Sequence, residues 1–212
     1  MYLSKLILNP RNPGARRDVA QPYELHRTLM RGLEHAADGE RLLFRIEPEQ
    51  GPRGVSVLVQ SSEAAPDWSM LLDNAYLLRA DGPKTFEPHF QAGQQLRFRL
   101  MANPVKKVNG RRIPLSHRVQ QSETDRTYWD WLHRQADRCG FRVLSAQDAP
   151  FRTAPNRQEQ AHYEKHQIPH FGVRFDGVLE VTDPVALLDA VRGGIGPAKA
   201  FGFGLLSLAP AA

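Results

Sequence analysis

The sequence predicts an α+β protein of two tandem domains, each with the element order β-α-β-β-α-β. Three observations predict it. Short runs of alternating apolar and polar residues, such as Leu96 to Met101, are interleaved with segments whose apolar residues recur at helical spacing. The same order of elements can be read twice along 212 residues, which suits two compact domains of roughly 100 residues each. Finally, Leu6-Ile7-Leu8-Asn9-Pro10 and Leu100-Met101-Ala102-Asn103-Pro104 resemble one another, each a strand end closed by Asn-Pro. These give two ferredoxin-like (RRM-like) halves, residues 1–90 and 91–212, meeting near Glu87 to Gly93.

In the first half, Tyr2 to Leu8 is a strand, because its β-branched, aromatic and aliphatic side chains stop at a proline that cannot donate to a ladder. A loop is expected from Arg11 to Ala20. Leu25, Leu29, Leu33 and Ala36 then predict a helix from Pro22 to Ala37, with proline in its first turn. Leu42 to Ile46 and Val55 to Val59 flank Pro48, Gly51, Pro52 and Gly54 and read as a hairpin. A short helix at Asp67 to Asp73 and a weak strand at Ala75 to Arg79 complete the unit. In the second half the strand Leu96 to Met101 leads to a helix with Ser122 as N-cap, Glu123 and Asp125 in its first turn and Gly140 as its stop. Strands at Phe141 to Leu144 and Gly172 to Val181, a helix from Asp183-Pro184 to Val191, and a strand at Phe201 to Leu208 follow.

Composition narrows the function. Hydrophobic residues are 41% and charged residues 24% of the chain, which excludes wholesale disorder, collagen and coiled coil. The single cysteine, Cys139, excludes an internal disulfide and Cys-rich zinc modules, and no neighbouring pattern makes it a nucleophile. No run of about 18 apolar residues occurs, so no membrane partner is expected and the expected compartment is the cytoplasm. Lys+Arg number 28 against 23 Asp+Glu, a formal charge of +5, which points to polyanions. Distribution says more than the total. From Pro88 to Ser122 there is no acidic residue, while Arg97, Arg99, Lys106, Lys107, Arg111, Arg112 and Arg118 are all present. Such a stretch is either a solvated basic loop or a set of phosphate contacts. Arg11, Arg16, Arg17, Arg27 and Arg31 form a second basic group. Small α+β domains with basic loops suggest RNA, although Phe201-Gly202-Phe203-Gly204 is not a base-stacking RNP motif.

Chemistry is sought on the first long helix, where Tyr23, His26 and Arg27 are spaced to share one side and Arg31 continues it. Imidazole exchanges a proton near neutral pH, and a phenol and guanidinium beside it suit a phosphodiester, so the set reads either as a ribonuclease-type site or as an ordinary helix surface. The glycine-rich stretch Gly193 to Gly204 has neither the Gly-Lys-Ser/Thr of a P-loop nor a following helix, so no nucleotide cofactor is expected. Its glycines, Gly202 and Gly204 among them, suit either close approach of an RNA backbone with Lys199 on phosphate, or a tight turn with a bulge. His162, His166 and His170 lack paired carboxylates and sit beside Pro169, so a loop or hairpin is expected there and no metal site. Tyr128, Trp129 and Trp131 are expected to be core and interface residues.

Several of these segments together resemble the CasE family, the repeat-RNA endoribonuclease of type I-E CRISPR systems and a subunit of the Cascade complex. They are Leu3 to Pro10 with the following arginine-rich stretch, Pro22-Tyr23-Glu24-Leu25-His26-Arg27, Pro66-Asp67-Trp68, Phe98-Arg99-Leu100 through Asn103-Pro104-Val105-Lys106-Lys107, and the glycine-rich C-terminus. The resemblance spans nearly the full chain. It implies two ferredoxin-like domains, cleavage of the CRISPR precursor at the 3′ base of each repeat stem-loop without metal, and retention of the product beside other Cascade subunits. Carried over by position, His26 and Tyr23 match the catalytic histidine and its tyrosine partner, with Arg27 and Arg31 near the scissile phosphate. The implied reaction is attack of a ribose 2′-OH on its own phosphate, with His26 as general base or acid. The segment Phe151 to Gln167, holding Arg152, Arg157, Lys165 and His166, corresponds to a hairpin set against the RNA stem. A non-catalytic RNA-binding scaffold remains the alternative function.

Overall fold

A computed structural model describes residues 1–47, 54–116, 127–152 and 171–211. Its described residues divide into two compact units, one of Met1–Glu87 with Lys199–Leu205, the other of Pro88 onward with Leu206–Ala212. Each unit is built on a four-stranded antiparallel sheet in the ferredoxin-like order, and among the described residues no helix is long and apolar enough to cross a membrane.

In the first unit, β1 (Tyr2–Leu8) pairs with both β3 (Val55–Ser61) and β4 (Leu77–Thr85), and β2 (Leu42–Ile46) lies outside β3. Alternation along β1 turns Ser4, Leu6 and Leu8 inward, where they meet Leu25 and Leu29 of α2 (Pro22–Met30), Trp68, and Leu71 of α3 (Ser69–Asp73). Ser4 accepts a hydrogen bond from the Trp68 indole at 3.0 Å, so the polar side chain is satisfied inside an apolar layer.

Three boundaries differ from the sequence reading. The expected loop Arg11 to Ala20 contains a helix, α1 (Pro13–Ala20): Asn12 caps it by accepting from the Ala15 N–H, Pro13 opens it, and Ala15 and Asp18 are buried. The helix expected to reach Ala37 ends at Met30 and tightens into a 3-10 turn at Arg31–Leu33, where the Gly32 carbonyl is taken by the Asp67 N–H. The strand expected at Ala75 starts at Leu77, because Ala75 stands at φ +51 in the preceding turn, and it runs on to Thr85 along β1.

The second unit repeats the order with β5 (Gln95–Ala102), α4 (Tyr128–Arg138), β8 (Phe141–Arg152), β9 (Phe171–Val181), α5 (Pro184–Gly193) and β10 (Leu206–Pro210), the sheet running β10-β5-β9-β8. Leu96, Phe98, Leu100 and Ala102 point inward, Tyr128 and Trp129 pack edge-on against Phe175, and Trp131 is buried. The residues expected to cap α4, Ser122 with Glu123 and Asp125, lie outside the described residues. The cap observed is Thr127, which exchanges hydrogen bonds with Asp130 in a capping box. β8 is far longer than the expected Phe141 to Leu144, since it follows β9 through a bulge near Ser145 to Arg152. Between β5 and α4, a stretch expected as loop forms a ribbon of β6 (Val105–Val108) and β7 (Arg111–Pro114), joined by Asn109-Gly110 with φ of +48 and +80. Two consecutive positive φ values are what a tight hairpin turn demands. The last strand begins at Leu206, not at the expected Phe201. Lys199–Phe201 is a 3-10 turn, and Gly202 and Gly204 at φ +83 and +91 cannot extend a ladder.

Candidate active site

Three of the four predicted catalytic residues, Tyr23, His26 and Arg27, sit on α2. α2 buries Leu25 and Leu29 completely, which fixes its rotation and turns Tyr23, His26 and Arg27 away from the core. Tyr23 is 39% exposed, the Arg27 side chain 60%, and His26 is half-buried. Arg31 follows in the 3-10 turn, with Nη2 3.3 Å from the Met70 sulfur and Nε 4.0 Å from Glu34.

One buried carboxylate, on α1, holds this helix from behind, and a second, on α2 itself, steadies Arg27. Asp18, 1% exposed, accepts hydrogen bonds from the hydroxyls of Thr28 at 2.7 Å and Tyr76 at 2.9 Å and from Arg17 Nε at 2.9 Å. Burial, with the Asp18 carboxylate beside it, pushes the Tyr76 phenol far above its ordinary value and keeps it a donor. The other carboxylate, Glu24, accepts from Arg27 Nη1 at 3.2 Å through Oε2. Its Oε1 is buried with no hydrogen-bond partner among the described residues. Glu24 thus orients the guanidinium of a residue one turn on.

His26 lies near the ring of Phe44 on β2. Burial lowers its pKa below the ordinary 6.5, since an imidazolium loses hydration there, and the Phe44 ring lies 6.2 Å away at 43°. Burial thus favours the neutral imidazole over the imidazolium. On the other side Tyr23 meets Phe201, ring centroids 5.6 Å apart and 30° from parallel. Gly202 follows so closely against Phe44 that a Cβ there would stand 3.2 Å from the ring. Arg45, 3% exposed and paired with Glu47 at 2.6 Å, directs Nη1 to the Leu205 carbonyl at 3.4 Å. The segment Lys199–Leu205 is thus built into the same unit as α2, with Lys199 at its start. A neutral imidazole, a phenol and one fixed guanidinium on a single exposed stripe suit proton transfer at a phosphodiester.

The other predicted RNA-binding residues are spread over the second unit. Lys106, Lys107, Arg111 and Arg112 all lie on the β6–β7 ribbon, with Lys107 directly opposite Arg112, and Arg152 is the last residue of β8. Arg157 and Lys165 lie outside the described residues, as do His162, His166 and His170. Among the described residues no group of three His, Cys, Asp or Glu side chains is placed to hold a metal ion. Phe44, Phe201, Glu24 and Asp18 were not singled out from the sequence. Only Glu24 had a readable signal there, its three-residue spacing from Arg27.

Comparison with known proteins bears on this arrangement. The profile of a family described as CRISPR associated protein matches residues 1–210. CRISPR-associated endoribonuclease Cse3 of Thermus thermophilus is 40% identical over 221 residues, covering 99% of this chain and all of the relative. CRISPR system Cascade subunit CasE of Escherichia coli is 31% identical over 223 residues with the same coverage. The structure of Thermus thermophilus Cse3 bound to an RNA representing a pre-cleavage complex superimposes with a TM-score of 0.83 at 40% identity, covering 99% of this chain and 98% of that one. With the full-length match in sequence and in fold, this chain belongs to the CRISPR-associated protein family that contains Cse3 and CasE.

Proposed function

We propose that this protein is a metal-independent endoribonuclease that cleaves CRISPR precursor RNA at the 3′ base of the repeat stem-loop and keeps the mature guide RNA within a Cascade-type complex in the cytoplasm. The observation that carries the reading is His26, half-buried near the Phe44 ring and on the same side of α2 as Tyr23 and Arg27, in a chain 40% identical to a named CRISPR endoribonuclease. The catalytic helix belongs to the N-terminal domain, residues 1–90, and most of the basic surface to the C-terminal domain, residues 91–212.

In the mechanism His26 accepts the proton of the ribose 2′-OH as that oxygen attacks the adjacent phosphorus. The P–O5′ bond breaks, leaving a 2′,3′-cyclic phosphate on one product and a 5′-oxygen that takes up a proton on the other. Burial favours the neutral imidazole, the form that accepts this proton, and on that ground the general-base role is assigned to His26 in this reading. Arg27, steadied by Glu24, and Arg31 place positive charge beside the phosphate as negative charge builds on its oxygens, and the Tyr23 hydroxyl donates a hydrogen bond there. Lys106, Lys107, Arg111, Arg112, Arg152 and Lys199 bind phosphates of the stem, with Arg157 and Lys165 assigned the same role.

The test incubates the purified protein in EDTA with a labelled repeat hairpin, beside a copy with one 2′-deoxyribose 5′ of the scissile phosphate. Cleavage of the ribose substrate alone is expected, and His26→Ala is expected to lose a factor of about 10²–10⁴ in rate while still binding RNA. Binding without cleavage of the cognate repeat would make the protein a scaffold, and wild-type rates in His26→Ala would remove the histidine from the mechanism.

A further inference from the structure

We infer that Phe201, from the glycine-rich segment near the C-terminus, is a positioning residue for the reaction: its ring sets the side chain of Tyr23, as the ring of Phe44 sets that of His26. The inference rests on the reading of α2 as the cleavage site.

Tyr23 needs such a neighbour. It sits in the first turn of α2, 39% exposed, and a helix-surface tyrosine has two side-chain torsions with which to swing its hydroxyl by several ångströms. Phe201 packs against it with centroids 5.6 Å apart at 30°, within the range of an offset aromatic pair. Phe201 is itself placed with care. It closes the Lys199–Phe201 turn, Gly202 follows at φ +83 against the Phe44 ring, and the Leu205 carbonyl is reached by the buried Arg45. β2 therefore contributes twice. Phe44 backs His26 at 6.2 Å and also seats Gly202, and its neighbour Arg45 holds the far end of the segment. The two aromatic rings fix the imidazole and the phenol with respect to each other, although Phe201 itself touches no reacting atom. Misplacing a catalytic group by about 1 Å is enough to cost up to a hundredfold in rate.

The experiment measures single-turnover cleavage of the repeat hairpin in EDTA by the full chain, and Kd for the uncleavable 2′-deoxy copy. It compares wild type, Phe201→Leu, Phe201→Tyr, Tyr23→Ala and the double variant Tyr23→Ala with Phe201→Leu. Phe201→Leu is expected to slow cleavage roughly tenfold or more with Kd and Tm unchanged, and Phe201→Tyr, which keeps a ring, to recover most of that loss. The double variant is expected to cleave no more slowly than Tyr23→Ala alone, since two residues acting through one another are not additive. Multiplying effects, a wild-type rate in Phe201→Leu or in Tyr23→Ala, or a loss lying wholly in Kd would each overturn the inference. If Phe201→Leu lowers Tm, Phe201→Met takes its place under the same criteria. Failure of the underlying reading looks different: wild type does not cleave, or His26→Ala cleaves as fast as wild type.

Discussion

In the proposed mechanism the half-buried imidazole of His26 makes the reaction and the fold respond to acid in a linked way. Burial holds its folded pKa below 6.5, so the base form persists at neutral pH and is lost only as pH falls through that lower value. Cleavage measured against pH is expected to be level near pH 7 and to fall on the acid side with a midpoint under 6.5. The same shift has a stability counterpart. Between 6.5 and the folded pKa the unfolded chain binds a proton that the folded chain does not, so stability decreases as pH drops across that window. Urea titrations at neutral and mildly acidic pH are expected to show this slope in wild type and a flatter one in His26→Gln. Asp18 is a second residue with consequences beyond its neighbours. Truncating it leaves the buried hydroxyls of Thr28 and Tyr76 without their acceptor, so Asp18→Ala is expected to cost about 3 kcal/mol in denaturant unfolding. Nothing in the sequence marks Asp18, because Thr28 and Tyr76 become its partners only when α1, α2 and the turn before β4 pack together.

At the scale of elements, regular alternation and clear caps were legible, and exceptions arose where tertiary contacts decide. β1, β5, β9 and α5 follow directly from alternation or from the Asp183-Pro184 cap. α1 has too few apolar residues to show a helical period, and its signal is the Asn12-Pro13 start that precedes Arg16-Arg17. The ribbon was missed although Asn109-Gly110 lies between two short β-rich runs. Phe201 to Gly204 reads as the start of the last strand because Phe201 and Phe203 carry β propensity, and that propensity yields to glycines held at positive φ. Two glycines separate backbone strain from crowding. Gly202→Ala combines φ +83 with a 3.2 Å approach to Phe44, and it is expected to lower stability by about 1–2 kcal/mol and to slow cleavage. Gly110→Ala has φ +80 but meets nothing within 4 Å, so its loss is expected to stop near 1 kcal/mol with the rate unchanged once RNA is saturating. Thermal unfolding and single-turnover assays on the pair check both halves of this contrast.

For the molecule as a whole, a formal charge of +5 understates how unevenly the cations are committed. Within the acid-free stretch, Arg99 is paired with Asp176 and Arg97 donates to the Pro210 carbonyl at 3.2 Å, both on the second sheet. The ribbon instead presents Lys107 and Arg112 opposite one another on a single face. Removing both with Lys107→Ala and Arg112→Ala is expected to weaken stem binding and to reduce the slope of log Kd against log salt by about 1.5 to 2. An unchanged slope would place the phosphate contacts elsewhere. The sequence located the charge; only the backbone shows which arginines a sheet retains for its own ion pairs.

The placement of Lys199–Leu205 in the first unit also orders events during synthesis. A nascent chain that has emerged only as far as Ala198 already carries Tyr23 and His26, yet Phe201 has not arrived to pack against the Tyr23 ring, nor Gly202 to lie against Phe44. On the proposed roles of these residues, competence to cut RNA is deferred until Lys199–Leu205 has left the ribosome, and shorter copies hold Tyr23 and His26 without their setting.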